Sequence, residues 1–500
     1  MKIASDFTTS HFLSTEEHSV RTRISKAFSN IDQSPFVQYG LLILLVLIGT
    51  GLRLYQLGTW SLWVDEVYTI QRANDVIQNG WEGFMRHTNS TRLVAGVLML
   101  FPESEWSVRL VPALVGIISM VLFFFPVRRI FGGRVALMSM AFLAISPWHL
   151  YWSQNSRFYT TLLFFYTLSL LYFYIGVEER RPSYLLGAGV LLVLGFLERL
   201  TALFAVPIMV LYISFILFTV FRNQKGLRFN PYYGLPILIV PAAFLVYDLL
   251  GVPALGLNSS IRSFFDIFFG HTNSNPVRLG MAIIYRIGLP VVILASIGAL
   301  YLIFRKPERQ NIFLLLAVYV PFVGILVVSL FAFAVDRYIF ASLPFWYILC
   351  AVAINQLFSL TRSSGTLLVV GVLALVLADG ITNNMLYFQY QNGSRPDMRG
   401  ALEFVAEHKS EEAIIAVSPN QVLLGDYYLG DNSVIMFSDI DQTELERTGQ
   451  PMWFIVDNDI GWIPASLQTW LDENARLVLV RDIYLPGNPM TLRVYAYREG

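Results

Sequence analysis

The sequence predicts a polytopic α-helical membrane protein carrying a small extracytoplasmic α/β domain at its C-terminal end, and three observations lead there. The 500 residues are 55% hydrophobic and only 14% charged, with a mean hydropathy of +0.56, too apolar for a chain wetted on every side. Eleven stretches read as spans of a hydrocarbon layer that takes about 20 apolar residues per helix. After about Asn384 that pattern stops, and short β-branched and aromatic runs alternate with amphipathic ones.

Residues 1–39 are polar and rich in Ser and Thr, without the charged start and short apolar core of a cleaved signal peptide, and read as a disordered cytosolic tail before an uncleaved first span. The transmembrane part, 40–383, holds spans near 40–58, 108–126, 134–151, 158–176, 183–198, 201–221, 231–250, 283–304, 311–334, 338–358 and 365–383. Only Glu198-Arg199 divides the fifth from the sixth. Two long outer loops interrupt the series. Residues 59–107 carry Trp60, Trp63, Trp81 and Trp106, as segments lying along a membrane interface do. Residues 251–282 carry Phe264, Phe265, Phe268 and Phe269 and read as an interfacial helix. In the soluble domain, 384–500, strands are expected at Ala413–Val417, Ser433–Phe437, Met452–Val456, Arg476–Val480 and Leu492–Tyr497, with helices at Met398–His408 and Ser466–Asn474.

Basic residues set the orientation. With the N-terminus inside, the Lys and Arg of the tail and of the short even-numbered loops, such as Arg128, Arg129, Arg180, Arg181, Arg305 and Lys306, are cytosolic. The membrane part then leaves Arg53, Arg72, Arg86, Arg92, Arg109, Arg157, Arg199, Arg262, Arg278, Arg286 and Arg337 outside, with no lysine among them. A planar guanidinium fork suits phosphate and carboxylate better than an ammonium does, so the outer side is expected to meet an anion, with structural Arg–acid pairs accounting for about half of the set. This places the chain in the inner, cytoplasmic membrane of a cell with its C-terminal domain outside.

Charge and cysteine content exclude other classes. Thirty-five basic residues balance 35 acidic ones, so no global field gathers nucleic acid. The lone Cys350, in an apolar run, forms no internal disulfide and reads as a small buried hydrophobe. No glycine fingerprint for a nucleotide occurs, and no nucleotide cofactor is expected.

Two segments carry chemistry. Leu62-Trp63-Val64-Asp65-Glu66-Val67-Tyr68 sets two carboxylates beside tryptophans and membrane, where a carboxylate is costly unless paired or used. A carboxylate there is a candidate general base, and equally the pair reads as an N-cap or interfacial anchor for the next helix. The turn Ser146-Pro147-Trp148-His149-Leu150-Tyr151-Trp152-Ser153-Gln154-Asn155-Ser156-Arg157-Phe158-Tyr159 presents His149, Gln154, Arg157 and Tyr159 in apolar surroundings, where Arg157 and Tyr159 suit a phosphate and the alternative is polar atoms satisfying one another. His87 with the acidic pair supplies donors for a divalent metal, but no compact motif demands one.

These segments, in this order and with Val108-Arg109-Leu110-Val111-Pro112-Ala113-Leu114 between them, resemble the GT-C glycosyltransferases of the protein O-mannosyltransferase and aminoarabinose transferase type, in their bacterial branch using dolichyl- or undecaprenyl-phosphate sugars. The resemblance is strong over about 40–200, looser to about 360, where Asp336-Arg337-Tyr338 is similar to a late-helix pattern, and slight beyond. It implies a GT-C fold and transfer of a hexose or pentose from a polyprenyl-phosphate carrier to an acceptor at the outer face, with inversion. It implies Asp65 as catalytic carboxylate, Glu66 as its neighbour, and Arg157, Tyr159 and Arg337 near the donor phosphate. His87, Gln154 and His149 are the candidates for acceptor or sugar contacts. The chain departs from the pattern at His87-Thr88-Asn89-Ser90-Thr91-Arg92, where many relatives carry His-Pro-Pro-x-Tyr. Acceptors among glycan, lipid and protein stay open. The competing readings are a transporter or flippase, which would set its charges near the membrane midplane, and a noncatalytic polysaccharide-assembly protein.

Overall fold

The computed structural model describes residues 31–32, 34–222, 231–249, 274–304, 308–361, 365–430, 433–440, 442–457, 463, 465–483 and 490–498. Most of the tail and the aromatic segment around Phe264–Phe269 lie outside the described residues, as does Arg262.

Among the described residues the expected spans fall largely on helix. The chain runs α1 (Pro35–Leu54), the outer pair α2 (Val64–Arg86) and α3 (Asn89–Leu98), α4 (Glu105–Phe131), α5 (Gly133–Ala144), α6 (Pro147–Ser153), α7 (Tyr159–Glu178), α8 (Pro182–Glu198), α9 (Ala205–Arg222), α10 (Leu235–Leu249), α11 (Pro276–Ile287), α12 (Leu289–Phe304), α13 (Arg309–Val328), α14 (Leu343–Thr361) and α15 (Thr366–Gln389). Among the described residues seven helical stretches are long and apolar enough to cross a membrane, or nine if the bent pairs α5–α6 and α11–α12 each count as one. α8 is a shorter apolar helix, and so is α10, at 15 residues.

The breaks have local causes. Ser146 caps α6 with its hydroxyl and Pro147 follows at a position that needs no N–H, so α5 and α6 meet at 60°. Asn384 on α15 fixes that corner by donating to the Ile145 carbonyl at 2.8 Å. Between α11 and α12 the chain turns through 101° at Gly288, whose φ of +101° an L side chain rarely adopts. α8 stops at Glu198, and Arg199 is extended before the 3₁₀ turn Leu200–Phe204. The last span continues to Gln389, six residues beyond the expected end, because its outer half is still apolar on one face.

α7 and α14 form the centre of the bundle, whereas α1 and α15 present Ile43, Leu47, Leu368 and Leu375 outward. Such apolar rims are what lipid covers. Cys350 is buried on α14.

The C-terminal region folds as α16 (Met398–His408), β1 (Ile414–Val417), α17 (Val422–Leu429), β2 (Val434–Met436), α18 (Gln442–Thr448), β3 (Met452–Asp457), α19 (Ala465–Asn474), β4 (Arg476–Ile483) and β5 (Met490–Tyr497). All five expected strands and both expected helices occur. The sheet order is β2-β1-β3-β5-β4, parallel for β2-β1-β3 and antiparallel for β3-β5-β4. One face buries Phe437, Phe454, Trp470 and Tyr497. The other shares a core with the outer pair: Ile415, Trp453, Met398 and Leu402 form one cluster with Leu62, Val67, Ile70 and Val94. Polar contacts reinforce the join, since Ser61 donates to the Pro396 carbonyl at 2.8 Å and the Leu62 N–H donates to the Tyr428 hydroxyl at 2.7 Å. The sheet is therefore seated on α2 and α3 through a continuous apolar core.

Candidate functional site

Adjacent residues on a helix point about 100° apart, and this separates the two carboxylates at the start of α2. Glu66 turns inward and is fully buried. It accepts a two-pronged bond from Arg109, Nε to Oε1 and Nη2 to Oε2, both at 2.8 Å. Its Oε1 also accepts the Ser156 N–H at 2.8 Å. Arg109 spends its remaining donors on the carbonyls of Leu57, Trp60 and Ser61. These cations and hydrogen bonds outweigh burial and hold the Glu66 carboxyl down at about 2. Glu66 is thus a fixed, ionised strut tying α2, α4 and the turn before α7, and it is not on the cavity wall.

Asp65 turns the other way, with about 30% of its side chain exposed. Its carboxylate stands 3.4 Å from Arg157 Nη2, and its backbone carbonyl accepts from Arg157 Nη1 at 2.9 Å. Arg157 is thereby placed by the helix start that it serves, and burial pulls its pKa below the usual range.

Asp65 opens on a cavity of about 520 Å³, a size suited to a small molecule or headgroup (about 300–1,000 Å³). Its walls come from four parts of the chain. Trp63, just before α2, and Tyr68 on it flank Asp65, Tyr151 and Trp152 stand on α6, and Arg286, Asp336 and Arg337 add a third part. Arg395, Ser418, Gln421 and Asp457 come from beyond the last span. Ser418 follows β1 and Asp457 ends β3, at the C-terminal edge of the parallel strands where open α/β sheets place ligands. Gln421 donates to Asp457 at 2.5 Å.

The cations of this cavity differ in what they already hold. Arg286 donates to Asp336 at 3.0 Å. Arg337 keeps a buried Nε without a partner. Arg395, 1% exposed, gives Nη2 to the Gln154 carbonyl at 2.7 Å and keeps Nε and Nη1 buried without a hydrogen-bond partner, Nε forming a loose ion pair with Glu66 at 3.8 Å. Tyr159 lies behind the wall with its ring against Trp152 at 4.0 Å, where the charges of Arg337, Arg157 and Arg199 act on it.

Of the residues singled out in the sequence, Asp65 and Arg337 line the cavity and Arg157 touches Asp65; Glu66 and Tyr159 stand behind it. The three sugar or acceptor candidates have other partners in the structure. His149 is fully buried and accepts at Nδ1 from Arg53 at 2.7 Å. Gln154, also fully buried, caps the end of α1 by donating to the carbonyls of Leu52, Arg53 and Tyr55, and its own oxygen accepts from Tyr387. His87 sits at the far end of α2 and donates to Asp75 at 2.6 Å. None of the three is on the cavity wall.

Other acids of the first outer loop are engaged elsewhere: Glu82 with Arg86, Glu103 with Asn74, and Glu105 with Arg399 and Tyr428. Among the described residues no group of three or more His, Cys, Asp or Glu side chains is placed to hold a metal ion. The sequence reading missed Arg395, because the tally of outer arginines stopped with the membrane part. The signal was its place, six residues after the last span in Asn392-Gly393-Ser394-Arg395-Pro396.

Three comparisons bear on this geometry. The family model of dolichyl-phosphate-mannose-protein mannosyltransferases matches residues 92–247. No protein with a curated description matches the chain in sequence. Among solved structures, ArnT from Cupriavidus metallidurans bound to undecaprenyl phosphate is similar at 16% identity and a TM-score of 0.55, over 91% of this chain and 98% of that one. Its apo state gives 17%, 0.55, 92% and 98%. The oligosaccharyltransferase of Archaeoglobus fulgidus, in the apo form, is similar at 13% identity and a TM-score of 0.54, over 85% of this chain and 70% of that one.

Proposed function

We propose that this chain, a multi-pass membrane protein with the GT-C fold, is a glycosyltransferase that moves a sugar from a polyprenyl-phosphate donor to an acceptor hydroxyl at the outer face of the cytoplasmic membrane. The observation that carries the reading is one exposed carboxylate, Asp65, facing guanidinium groups with unspent donors across a cavity of about 520 Å³ beside the ends of the spans. The undecaprenyl phosphate held by the similar ArnT structure supports the choice of donor. The cluster of basic residues in the tail and short loops supports an N-terminus in the cytosol and the sheet domain outside.

In this reading Asp65 takes the proton of the acceptor hydroxyl as its oxygen bonds to the anomeric carbon. The bond from that carbon to the phosphate oxygen breaks on the opposite face, the electron pair leaves with the polyprenyl phosphate, and configuration inverts. Arg337 meets the charge that grows on the leaving phosphate, and Arg157 keeps the Asp65 carboxylate oriented until the proton arrives. Glu66 acts through Arg109 and the Ser156 N–H, which fix the helix start that bears Asp65. Tyr159 supports Trp152 and Arg157 from behind. The proposed division stays 1–39, 40–383 and 384–500, with the sheet domain roofing the site.

The test is transfer to membrane acceptors by wild type and Asp65→Asn at matched amounts of folded protein. Loss of a general base typically costs about 10²–10⁴ in rate; equal turnover by the two proteins would remove Asp65 from this role.

A further inference from the structure

We propose that Arg395, on the linker between the last span and the sheet domain, is a ligand for the phosphate of the lipid donor, seating it jointly with Arg337. The inference rests on the proposed donor class and adds a residue that lies beyond the membrane part and outside the motifs of the sequence.

Buried donors without acceptors are rare in folded proteins and ask for an explanation. Arg395 has two of them, Nε and Nη1. Glu66 Oε2, held by Arg109, forms an ion pair with Nε at 3.8 Å but stands beyond hydrogen-bonding distance, so neither donor is hydrogen-bonded. Arg395 also lines the cavity into which Asp65 and Arg337 project. The hydroxyl of Tyr151, on the same wall, feels Arg395, Arg286 and Arg337 together. Of these, Arg286 is committed to Asp336, which leaves Arg337 and Arg395 with donors to give.

The backbone is built to aim this side chain. Asn392, Gly393 and Ser394 occupy three successive left-handed conformations, φ +47°, +61° and +56°. For non-glycine residues that conformation costs energy and persists only where the surroundings enforce it. Here Trp60 does so: a Cβ on Gly393 would lie 2.5 Å from the Trp60 ring. The Gln154 carbonyl then fixes Nη2 of the guanidinium, Nε stands 3.8 Å from Glu66, and Arg395 lines the cavity beside Asp65 and Arg337. Two guanidinium forks with free N–H groups match the oxygens of one phosphate better than any neutral group of a sugar or peptide.

The experiment is binding of undecaprenyl phosphate and of uncharged undecaprenol to the purified full chain in detergent. Wild type is expected to prefer the phosphate; absence of that preference defeats the donor reading itself. Arg395→Gln is expected to weaken phosphate binding about 10- to 100-fold, the span for losing a hydrogen bond to a charged group, and to leave undecaprenol unchanged. Arg395→Lys, which keeps the charge but cannot hold the Gln154 carbonyl and a phosphate together, is expected to fall between them and carries the test if the Gln variant does not fold. Arg481→Gln, an exposed arginine of the same domain, serves as the control. Undiminished phosphate preference in the Arg395 variants, or equal loss for both lipids, overturns the inference.

Discussion

Replacing each of the two neighbouring carboxylates by its amide is expected to give opposite outcomes. A Glu66 carboxyl held at about 2 instead of its ordinary 4.5 corresponds to about 3 kcal/mol of preference for the ionised form. Removing one member of a buried ion pair costs about 3–5 kcal/mol, because the other charge is stranded. In Glu66→Gln the stranded charge is Arg109, 0% exposed, with Arg395 close behind it. The two routes agree on a loss of about 3 kcal/mol. The sign with pH follows from the depressed carboxyl: its contribution is complete above about 4.5 and is lost as pH falls toward 2. Asp65, partly exposed and paired with Arg157 at 3.4 Å, should cost less than about 1 kcal/mol as Asn while losing turnover. The assay is unfolding in mixed micelles at rising fractions of denaturing detergent, read by tryptophan fluorescence, with the cycle Glu66→Gln, Arg109→Gln and both together. The double variant should lose at least about 2 kcal/mol less than the two singles summed. A Glu66→Gln protein as stable as wild type, or strict additivity in the cycle, would falsify the strut.

Other expectations follow from single contacts. Gly393→Ala should destabilise by about 1–2 kcal/mol from its positive φ alone, more with the Trp60 clash, and lower affinity for undecaprenyl phosphate by moving Arg395; unchanged unfolding and binding would contradict the aimed turn. His87→Ala should leave transfer within about threefold of wild type, since its partner is Asp75 and not the cavity, and a loss on the scale of Asp65→Asn would return His87 to the site. Tyr428→Phe should cost about 1–3 kcal/mol in the same unfolding assay, because the buried Leu62 N–H loses its acceptor and Glu105 a donor.

The spans and strands were legible because each is a statement about composition and period, and a buried helix or a β-branched strand writes itself locally. Bends at Ser146-Pro147 and Gly288 were legible in part, since proline and glycine mark them but the angle depends on what packs behind. The chemistry was legible only in outline. Asp65 and Glu66 are neighbours in sequence and point to different environments, so no local rule assigns one to the cavity and the other to Arg109. His149 and Gln154 are conspicuous as polar residues among aromatic ones; Gln154 satisfies carbonyls left open at the end of α1, and His149 accepts from Arg53. Arg395 was easily passed over because Gln154, the partner that fixes it, lies 241 residues back along the chain.

The central claim is that a lipid-linked sugar is the donor and that transfer happens outside. Membrane vesicles of the two orientations, given water-soluble short-chain polyprenyl-phosphate sugars or nucleotide sugars with radiolabel in the sugar, test it directly. The account predicts label in acceptor only from the polyprenyl-phosphate donors, only when the sheet domain faces the added donor, and not with Asp65→Asn. Transfer from a nucleotide sugar, or from the opposite face, contradicts it.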